Sequence, residues 1–373
     1  MITNTIIKRV VLPEGRRIIC ISDIHGHLNY LKALLQKVSF SKEDILIIVG
    51  DLIERGVQNV DTIRFLMELQ KTHTVYVLMG NVDGWMMECF QEDSPEPLEQ
   101  VFEELCARNQ TFGGSLFAEV SHRLGMPLTC PQDIPAIRTA FQTRMAAEYQ
   151  YLLSLPTVLD TQAYTFVHGG IPTCNLARLD MQAPFEYLKN DNFVAKGFVF
   201  DKYVIVGHWP AVLQDKTRAC HLPNVNEAQH IISIDGGCGV KPAGQLNALI
   251  IPYVGSQEFS FAYWDDLPTA VAVTPQQASE MSINITYSDS AIKILKRDEE
   301  FSYGEHLSSG YRLWIENSYI CDIDSAEPYC PEYTDYLLPV SVGDRLSVIK
   351  RTSRGYHVKK GGVEGWYKGT LKE

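Results

Sequence analysis

Over the first 85 residues, short apolar runs alternate with segments whose apolar positions recur at helical spacing. RIICIS at 17–22 is a β-rich run, and LNYLKALLQKV at 28–38 spaces its leucines as a helix does. DILIIV at 44–49 has the pattern of a buried strand, VDTIRFLMEL at 60–69 is helical again, and TVYVLM at 74–79 is a third strand. This βαβαβ order predicts a parallel sheet covered by helices. Residues 85–150 then place Met, Glu, Phe and Ala at helical spacings, broken by prolines and by Gly113-Gly114. That stretch reads as a helical insertion or cap over the end of the sheet. Strands resume at 164–167, 203–206, 231–234 and 246–251, with a weaker helical stretch over 173–197.

The pattern changes near residues 262–282, which show no strong periodicity, and β-type runs with turn residues follow. The division expected is therefore 1–261 for a catalytic-size α/β domain and 262–373 for a β-rich region. One internal similarity lies in that region: AIKILKR at 291–297 and RLSVIKR at 345–351, each followed by an aromatic run, LWIENSYI and GWYKGTL. Two tandem small barrels, or one elaborated barrel, would produce it.

Composition narrows the function classes. The formal net charge of −12 and the ordinary fractions of apolar and charged residues, 45% and 21%, describe a globular chain. A protein binding nucleic acid through its general surface would carry the opposite sign, so no nucleic-acid partner is expected. The helical insertion is more acidic still, with four basic residues against ten acidic ones, whereas the last 43 residues carry eight basic against five acidic. No apolar run approaches membrane-spanning length, and residues 1–17 lack the apolar core of a secretory leader, so no membrane partner is expected. Nine cysteines without any CxxC pair suggest reduced thiols, mostly buried, and a cytoplasmic setting.

Chemistry-bearing residues collect just after the strands. Asp23-Ile24-His25-Gly26-His27 follows the first, Gly50-Asp51-Leu52-Ile53-Glu54-Arg55-Gly56 the second, and Gly80-Asn81-Val82-Asp83-Gly84 the third. His168-Gly169-Gly170 and Gly207-His208-Trp209-Pro210 follow two later strands. Ligands of open α/β sheets bind at the carboxyl ends of the strands. Carboxylates, imidazoles and an amide without cysteine make a mixed N/O set suited to Mn²⁺, with Fe and Zn²⁺ as alternatives. The glycines let the backbone turn sharply and let an oxyanion come close.

DIHG, GDLIERG, GNVD, HGG and GHWP, in this order, resemble the calcineurin-like metallophosphoesterases. Within them they are most similar to the phosphoprotein phosphatase and symmetrical dinucleoside tetraphosphatase branch, over roughly residues 16–255. The resemblance implies a four-layer α/β/β/α sandwich holding two divalent ions. Asp23 and His25 would hold the first ion, Asp51 would bridge, and Asn81, His168 and His208 would hold the second. Arg55 and Asn81 would bind substrate phosphate, and a bridging hydroxide would attack it. The family's second phosphate-binding arginine has Arg178 as its positional counterpart, on a poor local match that leaves it out of the site. Asp235, in IDGGCG, would play a supporting role.

One departure matters. The family's GNH[E/D] histidine, which protonates the leaving oxygen, is Val82 here, and its acidic partner is Glu54. His27 and Asp83 are the nearest alternative donors in sequence. The leading expectation is a phosphomonoesterase resembling the serine/threonine-protein phosphatases. A bis(5'-nucleosyl)-tetraphosphatase or phosphodiesterase is the alternative, and a non-catalytic metal- and phosphate-binding module is the reading from another class. Residues 330–373 resemble an SH3-like fold (YTDY, VGDRLSVI, GYHVKK, EGWYKG), which implies a peptide groove lined by Tyr333, Tyr336, Trp366 and Tyr367.

Overall fold

The computed structural model describes residues 5–91, 96–176, 179 and 182–372. The chain forms two compact units. One comprises Met1–Pro210 with Pro223–Asp265, and the other Ala211–Leu222 with Asp266–Glu373.

The first unit contains two sheets. Strands β1 (Ile7–Val10), β5 (Val158–Thr161), β6 (Tyr164–Val167), β7 (Tyr203–Val206), β9 (Ile231–Ser233) and β8 (Asn224–Asn226) line up in that order in one. The other runs β11 (Ser260–Trp264), β10 (Leu246–Ile251), β2 (Ile18–Ile21), β3 (Ile45–Val49), β4 (Thr74–Leu78), with β2, β3 and β4 parallel.

Period-two alternation assigns every strand residue to a layer. In β2 and β3, Ile18, Cys20, Ile45, Ile47 and Val49 pack between the sheets against Tyr164, Phe166, Tyr203, Ile205 and Ile232. Their neighbours Ile19, Ile21, Leu46 and Ile48 face outward, onto Leu31 and Leu34 of α1 (Leu28–Lys37) and Ile63 and Leu66 of α2 (Asn59–Gln70). On the far side, Val167, Val204, Val206 and Ile231 pack with Tyr187 of the helix Pro184–Leu188. The layers are helix, sheet, sheet, helix. A run such as ILIIV is apolar throughout because both its faces are covered.

Among the described residues the insertion has five α-helices: α3 (Asn81–Cys89), α4 (Leu98–Phe112), α5 (Leu116–Leu124), α6 (Ile134–Arg144) and α7 (Ala146–Leu153). Ser115 begins α5 by accepting a hydrogen bond from the Phe117 N–H, and Gly113 ends α4 at φ +79°. Among the described residues of this unit, four strands have no counterpart in the sequence reading: β1, β5, β8 and β11. The last pairs with β10 from Leu246↔Trp264 to Ile250↔Ser260 and runs into the stretch that looked patternless, because a partly exposed edge strand has no buried face to mark it.

The second unit is all β. Its largest sheet places β18 (Arg345–Thr352), β19 (Gly355–Lys360) and β20 (Val363–Tyr367) beside β12 (Thr269–Ala272) and β21 (Leu371–Lys372). A second antiparallel sheet is formed by β14 (Ile292–Arg297), β15 (Phe301–His306) and β16 (Arg312–Glu316), and a short pair by β13 (Asn284–Thr286) and β17 (Glu332–Thr334). The internal repeat maps onto two three-stranded meanders. Their first hairpins shift register at equivalent positions, between Ile294 and Lys296 and between Val348 and Lys350. Each meander has its own core.

An SH3-like barrel confined to 330–373 is not what this sheet forms, because β12 from outside that range sits between β18 and β21. The four aromatics expected to line a peptide groove are core residues: Tyr333, Tyr336, Trp366 and Tyr367 are each 5% exposed or less, although Tyr333 and Trp366 also line a cavity of about 320 Å³ beside Trp314. All nine cysteines are free; four are buried, and Cys106 and Cys174 are exposed. Among the described residues, no helix is long and apolar enough to cross a membrane.

In this unit a buried carboxylate is shared by two imidazoles. Glu364 lies 2.9 Å from Nε2 of His221, in the 211–222 segment, and 2.8 Å from Nε2 of His357 on β19. Burial opposes its charge, but the two histidines outweigh that and hold the carboxyl well below the usual range. We expect Glu364→Gln to destabilise the full chain by about 3–5 kcal/mol, the usual result of breaking a buried pair from one side. A depressed carboxyl stabilises above its unfolded pKa, so the deficit in urea unfolding should be full at pH 7 and shrink as pH falls below about 4.

Candidate metal centre

The loops that follow β2, β3, β4, β6 and β7 bring the six expected ligands together. Ligand atoms of Asp23, His25 and Asp51 all lie within 4.8 Å of one another, and all three residues are buried. On the other side of Asp51, its Oδ2 is 3.3 Å from His168 Nε2. Asn81 Oδ1 is 3.0 Å from that same nitrogen and 2.8 Å from His208 Nδ1. The six residues thus form two groups with Asp51 common to both.

The backbone is bent to do this. Asp23, His25, Asp51 and His208 all have φ between +49° and +65°, a region non-glycine residues seldom occupy. A Cβ on Gly80 would sit 2.1 Å from Asp51 Oδ1 and 2.2 Å from its N, and one on Gly207 would sit 2.5 Å from Asp23 Oδ2. Glycine is therefore required at both positions by close approach.

The electrostatics are those of crowded acid. Burial, with repulsion from Asp235 and Asp51, raises the Asp23 carboxyl well above its ordinary value. Burial also opposes charge on Asp51, but His168, His25 and the Val82 N–H, 2.9 Å from Oδ1, hold that carboxyl far below it. Burial works against an imidazolium at His168, yet Asp51 and Asp23 push it up to about 10. His25 has less compensation, and burial drives it down to about 3. Asp235, 1% exposed, accepts from the Gly237 N–H, and burial raises it to about 6. Three buried carboxylates facing imidazoles and an amide oxygen are a donor set that divalent cations fit.

The remaining expected residues are placed as follows. Arg55 has its guanidinium carbon 4.3 Å from the Phe112 ring centre, and its buried Nε has no hydrogen-bond partner. Glu54, 1% exposed, does not face a donor at position 82; its Oε1 accepts from the Leu116 N–H at 2.7 Å, at the start of α5. Burial lifts its carboxyl to about 7. The Val82 side chain is buried and offers no proton. Asp83 is committed elsewhere, accepting from Leu52 N, Ile53 N and Gly80 N. His27 turns Nδ1 to the Ile24 carbonyl and its ring to Tyr30. Arg178 lies outside the described residues.

Sequence reasoning missed Asp191. Its Oδ1 lies 2.7 Å from His208 Nε2. A carboxylate only accepts, so Nε2 carries the proton and Nδ1 is left to face the site, the orientation metal-bound imidazoles take from such partners. No motif marks Asp191.

The family profile described as calcineurin-like phosphoesterase matches residues 16–233. The symmetrical bis(5'-nucleosyl)-tetraphosphatase of Hamiltonella defensa subsp. Acyrthosiphon pisum (strain 5AT) is 45% identical over 64 residues, which is 17% of this chain and 22% of that protein. The protein of the same name from Buchnera aphidicola subsp. Schizaphis graminum (strain Sg) is 36% identical over 85 residues, 22% and 30% of the two chains. The chain thus matches less than a third of the length of these curated relatives. Among solved structures, a protein serine/threonine phosphatase from Saccharomyces cerevisiae, with similarity to human phosphatase PP5, aligns with a TM-score of 0.43 and 10% identity, over 71% of this chain and 85% of that one.

Two outcomes check the centre. A divalent ion at a hundredfold excess over its Kd should stabilise the chelated protein by about 2.7 kcal/mol, or roughly 5–10 °C in Tm. Gly80→Ala should push Asp51 aside, cost about 1–3 kcal/mol and weaken that metal-dependent shift, as read by calorimetry with and without Mn²⁺.

Proposed function

We propose that this chain, which belongs to the calcineurin-like phosphoesterase family, is a metal-dependent phosphohydrolase. The observation that carries the reading is the convergence of Asp23, His25, Asp51, Asn81, His168 and His208 into two groups sharing Asp51. Those residues would hold two divalent ions, Mn²⁺ first among them, with Asp51 between. Such ions polarise a phosphoryl oxygen and supply a water of lowered pKa.

The chain's own groups do the rest. Arg55 presents a guanidinium whose buried Nε has no hydrogen-bond partner among the described residues, and whose fork suits a phosphate. The Val82 N–H and His168 hold Asp51 in its ionised form. Asp191 orients His208. Of the two residues that follow Asn81 in its motif, neither is free to hand a proton to a leaving oxygen: position 82 is valine, and both oxygens of Asp83 accept from the backbone. General acid help is worth about 10²–10⁴-fold, so its absence weighs against alcohol leaving groups such as phosphoserine and favours leaving groups stable as anions. The substrate class supported best is therefore a phosphoanhydride, ahead of the protein phosphomonoester. The matched relatives bear tetraphosphatase names.

With Mn²⁺, the protein should hydrolyse diadenosine tetraphosphate and p-nitrophenyl phosphate faster than a phosphothreonine peptide. Asp51→Asn should lower kcat/KM on each by at least about a thousandfold, the scale of losing a preorganised electrostatic group. Turnover surviving that substitution would remove the metal assignment, and no turnover of any substrate by the metal-loaded protein would remove the hydrolase reading.

A further inference from the structure

The insertion contributes a second guanidinium that makes no direct ion pair among the described residues. Arg108 on α4 lies over the Trp85 ring, its guanidinium carbon 3.9 Å from the ring centre. Trp85 is one helical turn from Asn81 on α3, and residues four apart share a helix face. One turn on from Arg108 along α4 is Phe112, the ring that carries Arg55. Asn81, Trp85, Arg108, Phe112 and Arg55 therefore form a closed path that begins and ends at the site. Among the described residues neither guanidinium makes a hydrogen bond or a direct ion pair, although both act electrostatically on the buried Glu54 carboxyl, in a chain with a net charge of −12.

A stacked arginine keeps its in-plane N–H donors free while the ring fixes its position. Two such groups, one on Trp85 and one on the Phe112 ring a turn along α4 from Arg108, suit an anion longer than one phosphate. Their mutual repulsion is consistent with this: burial and then Arg108 oppose the charge on Arg55, with Asp51 and Asp235 favouring it.

We propose that Arg108, seated on Trp85, is a second anion-binding subsite that takes the neighbouring phosphate of an oligophosphate chain whose reacting phosphate lies at Asp51 and Arg55. The proposal rests on the phosphohydrolase reading above. In the reaction, water adds to the phosphorus at the centre and the P–O bond to the neighbouring phosphate breaks. The electron pair stays on that phosphate's oxygen and the water proton passes to solvent. Arg108 stabilises the charge that develops there, in the place of a proton that Val82 cannot give. An arginine that only packs on tryptophan would add stability and leave substrate choice untouched.

The test uses the full chain with Mn²⁺ and compares Arg108→Gln and Arg108→Lys with the unaltered protein on inorganic tripolyphosphate, ATP and p-nitrophenyl phosphate. The ratio of kcat/KM for tripolyphosphate to that for p-nitrophenyl phosphate should fall 30- to 100-fold in Arg108→Gln, mostly through KM, with partial rescue in Arg108→Lys. The Mn²⁺-dependent Tm shift confirms folding of each variant. A ratio within threefold of the starting value overturns the proposal, as does a fall seen with ATP alone, which would mean that Arg108 reads the nucleoside. Calorimetric binding separates this from the underlying reading. If the unaltered protein binds tripolyphosphate no more tightly than inorganic phosphate, the subsite is wrong even where turnover is observed. If that preference exists and Arg108→Gln removes it, the subsite stands even where turnover is absent, and only the hydrolase reading fails.

Discussion

The first unit is built around the burial of three carboxylates, Asp23, Asp51 and Asp235, at the ends of its strands. Isolated charges cannot be buried at any cost a domain can bear, so each must be neutralised or matched. Backbone N–H groups do part of this. Val82 donates to Asp51, His208 to Asp23 and Gly237 to Asp235. The first two contacts each fix one strand-end loop against another, and at the same approaches Gly80 and Gly207 leave no room for a side chain. The remaining acid is balanced by imidazoles, by Arg55 and by whatever cation the site takes, so ligand binding and fold stability draw on the same contacts.

This centre was legible because its residues fall at strand ends beside glycine, and strand ends are where a layered α/β sheet collects its ligands. The strands themselves were legible where both faces are covered, as in ILIIV and YVIV. Where only one face is covered the signal fades: β1 carries Lys8 and Arg9, and β11 is an edge strand with exposed Ser260 and Phe261. Asp191 could not be read because its role comes from a contact with His208, 17 residues away, and from no local pattern. The C-terminal aromatics failed for a different reason. An aromatic in a short strand suits a core and a binding groove equally, and only the packing of β12 and β17 decided that Tyr333, Tyr336, Trp366 and Tyr367 belong to the core.

Net charge alone gave an incomplete account of which partners this chain can take. An acidic surface excludes general binding of polyanions, yet Arg55 and Arg108 lie over the Phe112 and Trp85 rings with no direct ion pair among the described residues. Low net charge in the bulk and unpaired cations at one place raise selectivity, because an anion gains only where those guanidiniums and the metal ligands meet.

Glu54 shows why the valine at 82 is more than a lost side chain. Glu54 accepts from the Leu116 N–H at the start of α5, while Glu119 of α5 accepts from the Asn59 and Val60 N–H groups at the start of α2. The loop that carries Arg55 and the insertion thus cap each other's helices, a reciprocal exchange that favours negative charge at both N-termini. In the related motif the acid at 54 would steady a histidine at 82; here it steadies the helix that follows α4, the element that brings Phe112 to Arg55. With valine at 82, the carboxylate of Glu54 serves the insertion. A substrate suited to this site would need little protonation and much positive charge, and the geometry around Arg55 is consistent with that demand.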